Sequence, residues 1–269
     1  MIVTGGCYTE LCKMPDWEVV RGSGGRAAIA LAQLGCVVEL RTYYSSDHPQ
    51  RLSPIEMAGV TVRTEKRIAD IAFSYLHPLA TPYIYPRLID KHAFLEVASD
   101  KVLRFGFLEG DAKVCAETAV YDPQSSDGAL FTANGSTANK LAIVLNEREL
   151  QQIGQNTDLA KAAKIFFDQD GASVVVAKCG VRGALVIEPG RYPSWVPAYH
   201  SERVFKIGTG DIFSAAFAYY WMEKGLAPRD AADRASHTVA SYTEAPTSSL
   251  QARDTGTLQK ALSSKKETR

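Results

Sequence analysis

The sequence predicts an α/β fold, a largely parallel sheet covered by helices on both faces. Three observations carry that expectation. Short strand-like apolar runs alternate with helix-like segments, most clearly from Val102 onward. Glycine turns lead straight into helices at Gly22 to Gly25 and at Gly208 to Gly210. The chain has 269 residues, 46% hydrophobic and 22% charged, enough for one large core, so residues 1–269 read as a single domain.

Taken in order, Met1 to Cys7 reads as a short strand ending in Gly5-Gly6, with Glu10 just beyond it. Ligand groups collect at the carboxyl ends of strands in open α/β sheets, so Glu10 is a candidate to bind substrate hydroxyls. A solvated loop carboxylate is the other reading. Gly22-Ser23-Gly24-Gly25-Arg26 opens a helix whose alanines allow close packing and whose stop is Gly35. Gly24 and Gly25 let a ligand sit against backbone, or else serve only a tightly packed loop and helix. Val37 to Tyr43 and Val60 to Thr64 read as strands, with a short helix at Pro54 to Ala58 between them. Ile68 to Tyr85, aromatic and broken by Pro78 and Pro82, reads as a short hairpin or flap that pairs with Leu11 to Arg21. Lys91 to Ser99 is expected to be helical.

Val102 to Phe107 is then a strand, Asp111 to Glu117 a helical segment, and Thr118 to Asp122 a strand ending in Asp122-Pro123. Leu141 to Leu145 is a strand followed at once by Asn146-Glu147-Arg148-Glu149. Thr157 to Asp168 has N-cap chemistry and an apolar stripe of Leu159, Ala163 and Phe166. Ser173 to Ala177 and Ala184 to Glu188 are strands around a turn at Lys178 to Gly183. Asp211 to Lys224 is a helix stopped by Gly225, and Pro228 to Tyr242 is a final amphipathic helix with proline near its first turn. Ser263 to Arg269 is polar and expected to fray.

The stretch from Phe205 to Phe217 carries the most chemistry. Gly208 and Gly210 flank Thr209, so backbone N–H groups are open to a ligand. A helix N-terminus with bare N–H groups is an anion site. Asp211, where the helix starts, is able to take a proton from a hydroxyl. The two abilities together point to phosphoryl transfer to an alcohol; a plain helix cap at Asp211 explains the residue equally well in isolation.

Composition narrows the alternatives. Lys+Arg and Asp+Glu are both 30, and this zero balance argues against a nucleic-acid partner. Five cysteines without a Cys-x-x-Cys pair point to a reduced, cytoplasmic setting, and the five histidines show no metal-ligand spacing. No signal peptide is visible, and no apolar run approaches membrane-spanning length.

Five short motifs, in order, resemble the ribokinase (PfkB) family of carbohydrate kinases: Gly24-Gly25 before an alanine-rich helix, Asp122-Pro123, Asn146-x-x-Glu149, Lys178-x-Gly180-x-x-Gly183, and Gly208-Thr209-Gly210-Asp211. The resemblance covers nearly the whole chain. It implies a three-layer α/β/α fold with a mostly parallel sheet and a small, reduced β lid from segments of about 11–22 and 68–86. It implies an ATP- and Mg²⁺-dependent kinase of a sugar or sugar-like alcohol, with Asp211 as general base and Gly208, Thr209 and Gly210 as the anion hole. By the same resemblance Glu10, Gly24 and Gly25 bind substrate. Asn146, Lys178, Gly180, Gly183 and Ser236 lie at the nucleotide, and Glu149 organises magnesium through water. Tyr75, Tyr83 and Tyr85 on the lid offer a homodimer surface.

The chain also departs from the family pattern. Phe205-Lys206 replaces the usual Asp-Thr, which removes the loop's ordinary cation support. Ile29 replaces an asparagine, the stretch Tyr43 to Asp47 replaces a glycine-rich strand end, and Ser236 stands where an asparagine is common. These departures open a second reading, a ligand-binding or regulatory protein on the same fold. The Gly-Thr-Gly-Asp spelling keeps pyridoxal- or pyrimidine-type substrates in view. A dinucleotide oxidoreductase is disfavoured, since no Gly-x-Gly-x-x-Gly follows the first strand.

Overall fold

A computed structural model describes residues 1–45, 47–125, 129–203 and 205–244. The expected frayed tail from Ser263, and Ser46 within the stretch that departs at Tyr43 to Asp47, lie outside the described residues.

In chain order the elements are β1 (Ile2–Thr4), β2 (Thr9–Lys13), β3 (Asp16–Val20), α1 (Gly22–Gln33), β4 (Val38–Tyr44), α2 (Ser53–Glu56) and β5 (Val60–Lys66). They continue with β6 (Ala72–Tyr75), β7 (Tyr83–Tyr85), β8 (Leu95–Phe105), β9 (Ala112–Asp122), β10 (Thr137–Asn146), α3 (Glu147–Ile153), α4 (Leu159–Ala162) and α5 (Lys164–Asp170). The chain ends its described part with β11 (Val174–Lys178), β12 (Ala184–Ile187), β13 (Ser194–Val196), α6 (Thr209–Ala218) and α7 (Pro228–Glu244).

Among the described residues the main sheet has nine strands in the order β13-β12-β11-β10-β9-β8-β1-β4-β5, parallel except where β12 joins β11 and β13. Its central strands are valine- and isoleucine-rich runs buried on both faces, as parallel sheets require. One face packs against α1, α6 and α7 through Leu31, Val176, Phe213 and Phe217. The other packs against α3, α4 and α5 through Leu145, Leu150, Phe166 and Val175. The result is three layers, with the carboxyl ends of the strands and the amino ends of α1, α3 and α6 on one rim.

The second outer layer is partly built from strand. Strands β8 and β9 are parallel over their whole length, from Leu95 opposite Ala112 to Phe105 opposite Asp122. Straight eleven-residue strands would run about 33 Å or more. The link from Phe105 back to Ala112 spans about 25 Å at most when fully extended. The strands must therefore double over, and the ladder breaks at Asp100, Glu117 and Asn139 to allow it. Arg104, near the end of β8, reaches Asp111 at the start of β9 at 2.7 and 2.9 Å. It also donates to Ser136 Oγ at 3.0 Å. The first halves of β8 and β9 thus lie over the second halves, with Val97 and Val114 packed in the same core as Val102 and Tyr121.

This corrects two expectations. Residues Lys91 to Ser99 and Asp111 to Glu117 are not helical. From Leu95 onward the first is strand with Leu95 and Val97 inward, and the second buries Ala112, Val114 and Ala116 while exposing Lys113, Cys115 and Glu117. That is a period of two, not 3.6. Asp211 to Lys224 is also not one regular helix, since α6 passes at Tyr219–Glu223 into a single wide π turn.

A second sheet of four strands, β3-β2-β6-β7, combines residues from 9–20 with residues from 72–85. Its β2 and β6 run parallel, Glu10 opposite Phe73. Trp17 on β3 meets Phe205, so this sheet touches the loop that leads into α6. Tyr83 and Tyr85 are exposed, whereas Tyr75 is half-buried.

Candidate active site

The site grows from the turn before α6. Gly208 adopts φ +75°, a left-handed conformation that glycine takes without strain. There is a second requirement for glycine: a Cβ there would lie 2.0 Å from Arg26 Nε. Thr209 N–H donates to Lys206 O at 3.2 Å, closing the turn. Gly210 and Asp211 then occupy the first turn of α6, where backbone N–H groups have no partner inside the helix.

Asp211 is held at both oxygens. Arg26 Nη1 donates to Oδ2 at 2.8 Å and Gln124 Nε2 to Oδ1 at 2.7 Å. The other Arg26 nitrogen, Nη2, donates to Glu10 Oε2. Glu10 Oε1 accepts from Gly22 N–H at 3.1 Å. Glu10 is therefore neither at the end of β1 nor a solvated loop carboxylate. It sits within β2, 3% exposed, with both oxygens engaged. The early end of β1, at Thr4, leaves room for the chain to cross to the second sheet before Glu10 is reached. Tyr75 approaches the same group: burial, then the charge of Glu10, raises its hydroxyl above the ordinary range.

A second buried pair lies next to the turn. Lys178, at the end of β11, donates to Asp122 Oδ2 at the end of β9, and Ser214 on α6 donates to the same oxygen at 2.6 Å. Asp122 is 1% exposed at its side chain and Lys178 15%. Burial opposes the charge on Lys178, but Asp122 and then Glu149 outweigh it and hold the ammonium above its ordinary value. A Cβ at Gly210 would lie 3.6 Å from Lys178 Nζ, so this cation borders the amino end of α6.

The remaining expected residues divide. Asn146 and Glu149 close a capping box on α3: Asn146 Oδ1 accepts from Glu149 N–H at 2.9 Å and Glu149 Oε2 from Asn146 N–H at 2.8 Å. Asn146 stands opposite Lys178 in the sheet, which brings this box to the same rim. Burial, then the charge of Asp122, raises the Glu149 carboxyl. Gly180, Gly183, Lys178, Thr209, Gly210 and Ser236 line one cavity of about 450 Å³, walled by apolar groups such as Val181, Ala198, Phe213, Val239 and Ala240. Gly24 and Gly25 bring α1 close to its neighbours. The space of their missing side chains is taken by Gly5 backbone at 2.4 Å and by Ile55 and Cys7, so they set how closely α1 approaches β1.

Reading the sequence missed Arg26, Gln124 and Ser214. Their signals were position alone: Arg26 directly follows the glycine pair, Gln124 follows Asp122-Pro123, and Ser214 lies three residues after Asp211. Among the described residues no three His, Cys, Asp or Glu side chains converge to hold a metal ion, and no helix is long and apolar enough to cross a membrane.

Residues 113–249, just over half of the chain, match the model of the pfkB family of carbohydrate kinases. The chain belongs to that family. It is accordingly a phosphotransferase that acts on a hydroxyl group, of the kind that phosphorylates sugar-like alcohols. No curated protein matches it in sequence. Solved structures share its fold at low identity. A ribokinase from Thermotoga maritima superposes at TM-score 0.64 with 17% identity, over 93% of this chain and 94% of that one. Arabidopsis thaliana ribokinase, complexed with ribose and ATP, gives 0.65 with 15% identity over 93% of each chain. A pyrophosphate-dependent kinase in the ribokinase family, complexed with a pyrophosphate analog and myo-inositol, gives 0.62 with 16% identity over 90% of this chain and 95% of that one.

Proposed function

We propose that this kinase takes its phosphoryl group from ATP and that Asp211 is the base that receives the acceptor's hydroxyl proton. One observation carries the reading: the apolar cavity and the carboxylate meet at the same turn. The cavity reaches Thr209 and Gly210, and Asp211 is the next residue. Its volume and apolar walls suit a nucleoside base with a few polar edges. A pyrophosphate donor, as named for one structural relative, has no base to fill such walls.

The chain's own groups divide the work. The amino end of α6 faces the negative charge of the transferring group through its free N–H groups and its dipole. Lys178 adds a fixed cation beside Gly210. Asp211 orients the acceptor hydroxyl and accepts its proton as oxygen attacks phosphorus. Magnesium does not find a protein-built cage in the described residues, because Glu149 Oε2 is engaged in the capping box and Asp122 is paired with Lys178. Magnesium binds few protein groups when substrate phosphates are present. Glu10, expected to meet a substrate hydroxyl, accepts from Arg26 Nη2 and from Gly22 N–H. The acceptor is a sugar-like alcohol.

The test is a panel of sugars, cyclitols, nucleosides and vitamin alcohols assayed with ATP and, separately, with pyrophosphate. ATP-dependent phosphorylation without pyrophosphate turnover supports the proposal. Turnover with pyrophosphate alone sinks the donor assignment.

A further inference from the structure

The guanidinium of Arg26 lies across the mouth of the Gly208–Gly210 turn. A Cβ at Gly208 would be 2.0 Å from Arg26 Nε and 2.3 Å from Cζ, so nothing separates the cation from that backbone. Its anchorage is uneven. Nη2 is fixed to Glu10, which is itself pinned by Gly22 N–H, whereas Nη1 is shared between Asp211 Oδ2 at 2.8 Å and the weaker Gly22 O at 3.4 Å. One arm of the fork is tied to a buried carboxylate, and the other rests on Asp211, the base of the proposed reaction. The usual Asp-Thr cation support of the turn is replaced here by Phe205-Lys206. Arg26, a permanent and planar cation, lies against Gly208 of the same turn.

We propose that Arg26 is a catalytic residue, its guanidinium binding the transferring phosphoryl group against the N–H groups of the Gly208–Gly210 turn. The inference rests on the ATP-kinase reading of this site. The acceptor oxygen forms a bond to the γ-phosphorus. The bond from that phosphorus to the bridging oxygen breaks, and its electron pair leaves with ADP. The hydroxyl proton passes to Asp211. A protonated Asp211 no longer holds a cation, so Nη1 is released toward the phosphoryl oxygens while Nη2 stays on Glu10. Before transfer the three side chains carry one net negative charge, which keeps a free anion from settling at the turn; after proton uptake they are neutral together, with Arg26 facing the phosphoryl group. The interaction strengthens only as the reaction proceeds, which is the property that raises kcat instead of lowering KM.

The experiment compares wild type, Arg26→Gln and Arg26→Lys by calorimetry with ADP alone and with ADP plus aluminium fluoride, a mimic of the phosphoryl group in flight, in magnesium-containing buffer. Wild type should bind the fluoride complex more tightly than ADP. Arg26→Gln should bind ADP within about twofold of wild type yet lose about tenfold to a hundredfold of the fluoride tightening, the worth of a charge-assisted hydrogen bond. Turnover with an accepted alcohol should fall about 10²–10³-fold at little change in the KM for ATP. Arg26→Lys keeps a cation between Glu10 and Asp211 and should recover part of both losses; it carries the test by itself if the glutamine variant does not fold. Full fluoride tightening in either variant overturns the role of Arg26 while leaving the kinase reading intact. Absence of ADP binding in wild type overturns both.

Discussion

Replacing Lys178 by methionine separates what the buried pair does for folding from what it does at the site. The perturbation removes the cation and leaves Asp122, 1% exposed, with Ser214 Oγ as its side-chain donor among the described residues. Breaking a buried pair in this way destabilises by about 3–5 kcal/mol, because one charge stays buried without its partner. With a urea m-value of about 3 kcal/mol/M, the unfolding midpoint should fall by about 1–1.7 M. Removing both charges should be far milder: Asp122→Asn with Lys178→Met leaves no orphan charge, and the amide oxygen at position 122 still accepts from Ser214, so most of the loss should return. The pH dependence has a definite sign. Burial lifts the Asp122 carboxyl above its ordinary range even with Lys178 beside it. An acid raised in the folded state takes up a proton on folding, so stability falls as pH rises from the unfolded value of about 3.9 through the folded value. The deficit of Lys178→Met should therefore shrink on acidification through that window. Urea unfolding of the single and double variants at two pH values measures all of this. A single variant that loses under about 1 kcal/mol, or a double variant as unstable as the single, refutes the reasoning.

Two further outcomes follow from local geometry. Gly183 has φ +92°, and a Cβ on it would lie 2.0 Å from Val196 O; Gly183→Ala should lower stability by about 2–5 kcal/mol and the melting temperature by about 5–15 °C, with weaker ATP binding because the cavity wall moves. Differential scanning fluorimetry with and without ATP reads both effects, and an unchanged melting temperature would contradict the strain assigned to this turn. Glu149→Gln can keep the capping-box bond to Asn146 N–H while removing a charge that burial and Asp122 disfavour. The penalty exists above the folded carboxyl value and vanishes below the unfolded value of about 4.3, so the variant should melt at or above wild type at neutral pH and converge with it in acid. A drop at neutral pH would show that the ionised carboxylate stabilises the fold.

Much of the architecture was readable from period and punctuation. The central strands, the glycine-opened helix α1 and the glycine turn before α6 announce themselves because each is dictated by local chemistry: β-branched runs, small residues at a close approach, and a backbone conformation that favours glycine. The region from Lys91 to Glu117 misled because its alternating segments are short and flanked by charged residues, and because strands that double over to cover their own sheet replace the helices such a layer ordinarily uses. No local signal announces that arrangement; it follows from a connection too short for straight parallel strands. The site shows the same division. The residues of the turn and the cavity were legible as motifs. The ion pairs were not, since Arg26 reaches Asp211 across 185 positions and Lys178 reaches Asp122 across 56. Nothing in one stretch of chain reveals which charges will face each other at a rim assembled from α1, β2, β9, β11 and α6. Gly24 and Gly25 were legible as a close approach, and the packing of α1 on Gly5 and Ile55 accounts for the absence of a side chain at both.

The central claim is that Asp211 is the base of an ATP-dependent phosphoryl transfer. The most direct measurement is steady-state turnover of Asp211→Asn on an acceptor that wild type phosphorylates, with ATP affinity determined in parallel. Asparagine preserves the shape beside Arg26 and Gln124 but cannot take the proton. The account predicts a fall in kcat of about 10²–10⁴-fold with ATP binding largely retained. Turnover near the wild-type rate would contradict it.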